Sequence, residues 1–148
     1  MAKPFSLQVV LDLMQVRADE ATNRLARLIA NERDAKVKLQ MLLQYRDEYA
    51  TRFQQAAQNG LRPNEWQNFQ EFLIRIDDAI EAQNQTVQQE IQNTSTGQAH
   101  WQQQRIKLKA FDTLSDRHFA NEEILQIRHE QKAQDEYAAR LRLDDDSL

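Results

Sequence analysis

The sequence predicts an all-α fold, a long antiparallel two-helix coiled coil whose second helix overhangs the first. Three observations predict it. The chain holds only two glycines and two prolines in 148 residues, and one of each falls within Asn59-Gly60-Leu61-Arg62-Pro63. Before that break, apolar residues recur at alternating steps of four and three for seven heptads, which is the period of a coiled-coil seam. After it, a second stripe mirrors the first in reverse order. The expected organisation is one domain over 1–148, with a helix over about 6–58, a turn at 59–63, a helix over about 64–143 and an acidic tail at 144–148.

Composition narrows the function classes. Hydrophobic content of 41% with 28% charge is lean for a compact globule, and abundant Gln, Ala, Leu, Glu and Arg suit long helices in solvent. Disorder is the competing reading of low hydropathy, and the regular apolar spacing argues against it. With no cysteine, a disulfide framework and a thiolate metal site are both excluded. No apolar run approaches a membrane span. The start, through Phe5, Val9 and Val10, is interrupted by Asp12 and Arg17 and has no small-residue cleavage site, so it does not read as a signal peptide. The expectation is a cytosolic protein with no direct membrane insertion. A net charge of −4 argues against nucleic acid as a main partner.

In the first helix, Ser6 is the expected N-cap, with Phe5 stapled onto Val10. The seam then steps through Leu7, Leu11, Met14, Ala18, Ala21, Leu25, Leu28, Glu32, Ala35, Leu39, Leu42, Arg46, Tyr49, Phe53 and Ala56, thirteen of the fifteen being apolar. Val10, Leu13 and Val16 lie off this stripe. They either broaden the seam or make a second face for another protein.

At the break, Gly60 can take the left-handed conformation that closes a helix, and Pro63 suits the first turn of the next, where its missing N–H costs nothing. Asn64, with Gln67 three residues on, is a nearly equivalent cap. A hairpin centred on Leu61 requires facing residue numbers to add to about 122. This puts Phe69 opposite Phe53, Leu73 opposite Tyr49, Ile76 opposite Arg46, Ile80 opposite Leu42 and Val87 opposite Ala35. Further on, Trp101 faces Ala21, Leu108 faces Met14 and Phe111 faces Leu11. A large ring against a small residue is the complementarity a seam needs. With Leu25, Leu28 and Leu39, these pairs form the expected core.

The middle is the weak part of the register. Glu32 would face Glu90, and Thr94 and Gly97 fall on the seam. A four-residue stutter to Ile91 would recover one contact. Gly97 reads as a soft point costing about 1 kcal/mol relative to Ala, with a hinge as the alternative. Pairing is expected to end near Ser115, opposite Leu7. The remaining 28 or so helical residues overhang by roughly 40 Å, beyond a coil roughly 75–80 Å long. A bare helix of that kind is marginal in water.

No catalytic motif stands out: there is no phosphate-binding glycine loop, no His-Glu-x-x-His and no Gly-x-Ser-x-Gly. His118 and His129 share a helix face but sit about 16 Å apart, too far to hold one metal, and all three histidines read as solvated side chains. Adjacent carboxylates such as Asp77-Asp78 do not converge on a substrate. Two helices also enclose no useful pocket. The chain therefore reads as a non-enzyme without a cofactor or metal.

What remains is recognition. Trp66, Phe69 and Phe72, among Leu61, Leu73 and Ile76, exceed what a two-helix seam can bury, and Phe72 falls off the stripe. Aromatics exposed in that way make binding hot spots. At the other end, Phe119, Ile124, Leu125 and Ile127 alternate with Arg117, Arg128, Lys132 and Arg140.

These residues carry a resemblance. The run Lys38 to Tyr49, then Gly60, Asn64 and Trp66, then Asn68-Phe69-Gln70 with Phe72, and Ala79-Ile80-Glu81 resemble the FliJ family of flagellar export proteins. The second half continues it with Trp101, Lys107-Leu108, Phe111, Thr113 to Arg117 and Gln131 to Tyr137, so the likeness covers essentially the whole chain. It implies a cytoplasmic antiparallel coiled coil of the flagellar type III export apparatus, similar to the central stalk of rotary ATP synthases and located at the cytoplasmic face of the inner membrane. The implied partners are the export ATPase FliI with its regulator FliH, the export gate protein FlhA, and export chaperones. The implied gate-binding positions are Phe72 and Ile76, with Leu73 and Trp66 beside them. The implied ATPase-ring positions are Phe119, Leu125, Arg128, Gln131, Lys132 and Asp135 near the carboxyl end, with Leu13 and Arg17 near the amino end. A structural or chaperone-like coiled coil, or the equivalent stalk of a virulence type III system, is the alternative.

Overall fold

A computed structural model describes residues 3–147. It consists of two helices, α1 (Gln8–Gln58) and α2 (Pro63–Asp146), with no strand among the described residues. The chain divides into a turn unit, Glu20–Trp101, and a terminal unit made of Met1–Asp19 with Gln102–Leu148.

In the turn unit the chain reverses where glycine and proline require it. Gly60 has a φ of 88°, in the left-handed region that only glycine occupies without strain. The Gly60 N–H donates to the Ala57 carbonyl at 3.3 Å, and the Asn59 N–H to the Gln55 carbonyl at 3.3 Å, closing α1. Pro63 is the first residue of α2. The Arg62 carbonyl accepts from Trp66 N–H at 3.0 Å, so Arg62 holds the cap position and Asn64 lies inside the helix.

The two helices of this unit pair antiparallel in the expected register. Arg46 Nε donates to Asp77 Oδ1 as an ion pair. Gln83 Nε2 donates to the Ala35 carbonyl at 3.0 Å, and Trp101 Nε1 to Thr22 Oγ1 at 3.0 Å. On α2 the inward positions run through Phe69, Leu73, Ile76, Ile80, Gln83, Val87, Glu90, Thr94, Gly97 and Trp101 without losing the heptad. The stutter toward Ile91 is therefore absent: Glu90 stays on the seam and Ile91 is exposed.

Two contacts explain why the polar middle holds. Thr94 Oγ1 shares its proton between the Glu90 carbonyl at 3.0 Å and the Leu28 carbonyl at 3.3 Å, so its polarity is satisfied inside the seam. Gly97 is buried, and a Cβ built on it would overlap Leu28 Cδ1. Gly97 is thus also the recess that receives the tip of Leu28. Glu32 turns aside to Lys36, 3.3 Å away.

In the terminal unit, Met14 and Ala18 are buried on α1 and Gln104 and Ser115 on α2. The chain before α1 adds a contact that the sequence pattern did not predict. Phe5 is buried with its ring 5.5 Å from that of His118, His118 Nε2 donates to the Lys3 carbonyl at 2.9 Å, and Lys3 N–H reaches Glu122 Oε2 at 3.4 Å. Pairing therefore continues to Glu122 rather than ending near Ser115. It also corrects the expectation for His118. Phe5 packs on His118, and His118 is half-buried rather than a solvated side chain. The helix begins at Gln8, whose N–H donates to the Phe5 carbonyl at 3.1 Å. From Glu123 to Ser147 every described residue is exposed.

The recess at Gly97 gives a double-mutant prediction. Gly97→Ala alone gains helix propensity of about 1 kcal/mol but displaces the Leu28 side chain, so the net gain is small or negative. In a Leu28→Ala background the same change delivers the full gain of about 1 kcal/mol. Urea unfolding of the four proteins checks this; equal effects of Gly97→Ala in both backgrounds would contradict it.

Candidate functional site

The residues singled out from the sequence fall into two groups, one in each unit. In the turn unit, three α1 rings (Tyr45, Tyr49, Phe53) meet three α2 rings (Trp66, Phe69, Phe72). Phe69 lies 5.3 Å from both Tyr49 and Phe53, and Trp66 lies 4.9 Å from Phe53. Phe72 sits 4.5 Å from Tyr49 and meets Tyr45 edge-on at 6.2 Å. Offset and edge-on ring pairs at these spacings are favourable beyond simple burial.

Heptad geometry explains why the rings differ in access. Phe69 and Leu73 occupy inward positions, whereas Phe72 is the flanking residue just before Leu73 and lies along the margin of the seam. It is half-buried there, neither free nor core. Leu73 is half-buried, Trp66 is 44% exposed, and Ile76 is only 5% exposed. Of the four positions implied for gate contact, Trp66 offers the most surface and Ile76 almost none. Ile74, 59% exposed, was missed by the sequence reading. The run Phe72-Leu73-Ile74 was its signal, because a seam takes at most two of three consecutive residues.

The electrostatics of this group follow from its packing. Hydrogen bonding to Asp77, then its negative charge, raises the Arg46 guanidinium above its ordinary value. Tyr49 is raised above the ordinary phenol value of 10.0, first by burial among the rings and then by neighbouring Tyr45.

In the terminal unit, Phe119 is 47% exposed and packs edge-on against His118 at 5.3 Å. Leu125 is 56% exposed, and Arg128, Gln131, Lys132 and Asp135 are all exposed. Leu13 and Arg17 are exposed on α1. Leu13 stands level with the stretch of α2 near Lys109, ten residues or roughly 15 Å short of Phe119. The amino-end pair and the carboxyl-end set are therefore separate patches.

The expected core residues are distributed as follows. Ala21 and Val87 are buried, and Leu11, Leu25, Leu28, Leu39, Leu42, Tyr49, Phe53, Phe69, Ile80, Trp101 and Leu108 are half-buried. Among the described residues, no group of three or more His, Asp or Glu could hold a metal ion, and no helix is long and apolar enough to cross a membrane.

Paired helices in heptad register, with apolar side chains left outside the seam, define a coiled-coil protein. A sequence model described as "Flagellar FliJ protein" matches residues 3–144. Two relatives carry the same description: one from Salmonella typhi, 30% identical over 140 residues, and one from Escherichia coli (strain K12), 27% identical over 140 residues, each alignment covering 95% of both chains. The chain belongs to the flagellar FliJ protein family, and is a protein of flagellar export and biogenesis.

The shift at Tyr49 predicts a pH effect. A folded-state value raised above 10.0 means that stability is fully present below pH 10 and is lost as pH rises through the folded value. Thermal unfolding between neutral pH and pH 11 should show an alkaline loss that Tyr49→Phe reduces. An unchanged loss in Tyr49→Phe would place its origin elsewhere.

Proposed function

We propose that this chain engages the ring of the flagellar export ATPase, links it to the membrane export gate, and escorts export chaperones, working at the cytoplasmic face of the inner membrane. The observation that carries this reading is the distribution of unburied apolar surface in a FliJ-family chain. One set lies beside the turn, and another lies on a helix that has no partner after Glu122.

Residues 123–147 are exposed throughout yet include Ile124, Leu125, Ile127 and Leu141, each 48–56% exposed. A helix without tertiary contacts is marginal in water, and such a surface fits a segment that is completed by a socket. Phe119, Leu125, Arg128, Gln131, Lys132 and Asp135 are assigned to the ATPase ring with its regulator FliH. Leu13 and Arg17 form a separate contact. Trp66, Phe72 and Leu73 are assigned to the gate protein FlhA. Ile76 belongs to the same set from its buried side, so its replacement disturbs the seam before it disturbs binding.

Two measurements test this. Deleting residues 123–148 should abolish binding to the FliI ring in a pull-down while the turn unit keeps its helicity; retained ring binding would contradict the assignment. Trp66→Ala should weaken binding to the FlhA cytoplasmic domain about tenfold, the scale of a hot-spot ring, with circular dichroism unchanged. Ile76→Ala should instead cost about 2–4 kcal/mol of stability as a large-to-small seam change. Undiminished gate affinity in Trp66→Ala would remove the turn surface from the proposal.

A further inference from the structure

The exposed end of α2 carries a face that is complementary to itself. Along residues 123–147, Ile124, Ile127, Gln131, Gln134, Ala138 and Leu141 follow steps of three and four, so they line one side of the helix. All six are exposed. This side does not continue the hairpin seam, whose extension runs through Leu125, His129, Lys132, Glu136, Ala139 and Leu143.

The apolar-to-polar pattern on this face, two apolar residues, two glutamines and two apolar residues, is the same in both directions, although the residues themselves differ. With a second copy laid antiparallel across it, Ile124 meets Leu141, Ile127 meets Ala138, and Gln131 meets Gln134, each contact occurring twice about a two-fold axis midway between Gln131 and Gln134. The flanking charges agree at the centre of the pair, whereas at its ends Glu123 of one copy comes beside Asp144 of the other. Arg128 of one copy then stands level with Asp135 of the other, again twice. Within one helix these two are seven residues apart and cannot pair, and among the described residues neither forms an ion pair.

Other arrangements set like charges together. A parallel pair on the same face would bring Glu130 beside Asp135 of the second copy at the centre, with Glu123 beside Arg128 toward one end. Antiparallel pairing through the extended seam would bring Arg128 beside Arg142 and Asp135 beside its own copy. Charges across a coiled-coil margin decide orientation and partner choice in this way.

We propose that the free protein self-associates into an antiparallel dimer through the Ile124–Leu141 face of α2. A central glutamine layer and two Arg128–Asp135 pairs fix its register. The occupant of the bare helix in the unengaged protein is then the same segment of a second chain. The face shares Arg128, Gln131 and Asp135 with the proposed ATPase surface, so self-pairing and ring engagement exclude one another. The dimer itself requires no ATPase and stands on the exposed apolar face and the central Arg128–Asp135 pairs.

Charge exchange tests this on the full chain. Sedimentation equilibrium should show a concentration-dependent monomer–dimer equilibrium. Arg128→Asp or Asp135→Arg alone turns two attractive pairs into repulsive ones and should raise the dissociation constant about tenfold. Mixing the two single variants, or combining both changes in one chain, restores attraction at both positions and should recover the dimer. Circular dichroism confirms that the variants remain helical. A chain that stays monomeric to its solubility limit would overturn the proposal. So would a dimer indifferent to the single changes, or a mixture that dimerises no better than its components.

Discussion

A seam between only two helices has room for about one side chain per turn from each, and the rest of this structure follows from that capacity. Many of the residues that the seam buries are small or slender: Ala18, Ala21 and Ala35 on α1, and Val87, Gly97 and Ser115 on α2. Leucines and rings at equivalent positions remain half in solvent, because two helices cannot wrap them. Gly97 shows the constraint at its tightest. The tip of Leu28 takes the space that a Cβ on α2 would occupy, and the Thr94 hydroxyl bonds the Leu28 carbonyl beside it.

The same limit leaves apolar surface outside, and the family's work in flagellar export gives that surface its meaning. Trp66, Phe72 and Ile74 exceed the seam on one side of the turn. Ile124, Leu125 and Ile127 have no opposing helix from their own chain. In a compact globular protein such residues would be absorbed by a third or fourth element. Here they stay uncovered by the hairpin. The proposed contacts with the ATPase, gate and second copy all draw on side chains that the hairpin cannot cover.

Much of this was legible in the sequence. Heptad steps on α1, the Gly60–Pro63 break and the register centred on Leu61 could be read because each depends on local periodicity or on one residue's backbone preference. What could not be read depended on shape. Nothing in the composition of Glu90-Ile91 shows that the acidic residue keeps the inward place, because that outcome depends on how the whole seam packs around it. The seat of Phe5 on His118 was equally hidden, since residues before α1 have no period to follow. Phe72 illustrates the intermediate case. The stripe correctly left it off the seam, but its contact with Tyr45 and Tyr49 depends on flanking positions meeting across an antiparallel pair. Access at Trp66 and burial at Ile76 are matters of degree that spacing does not resolve.

The central claim is that the heptad passes without interruption through Glu90, Thr94 and Gly97. Because the chain has no cysteine, it can be tested by placing a pair of them across the seam in the turn unit. Glu32→Cys with Glu90→Cys should cross-link rapidly and intramolecularly with a short thiol reagent, and Glu32→Cys with Ile91→Cys should lag far behind. Preferential cross-linking of the Ile91 pair would show that the seam shifts at this point, and would contradict the account.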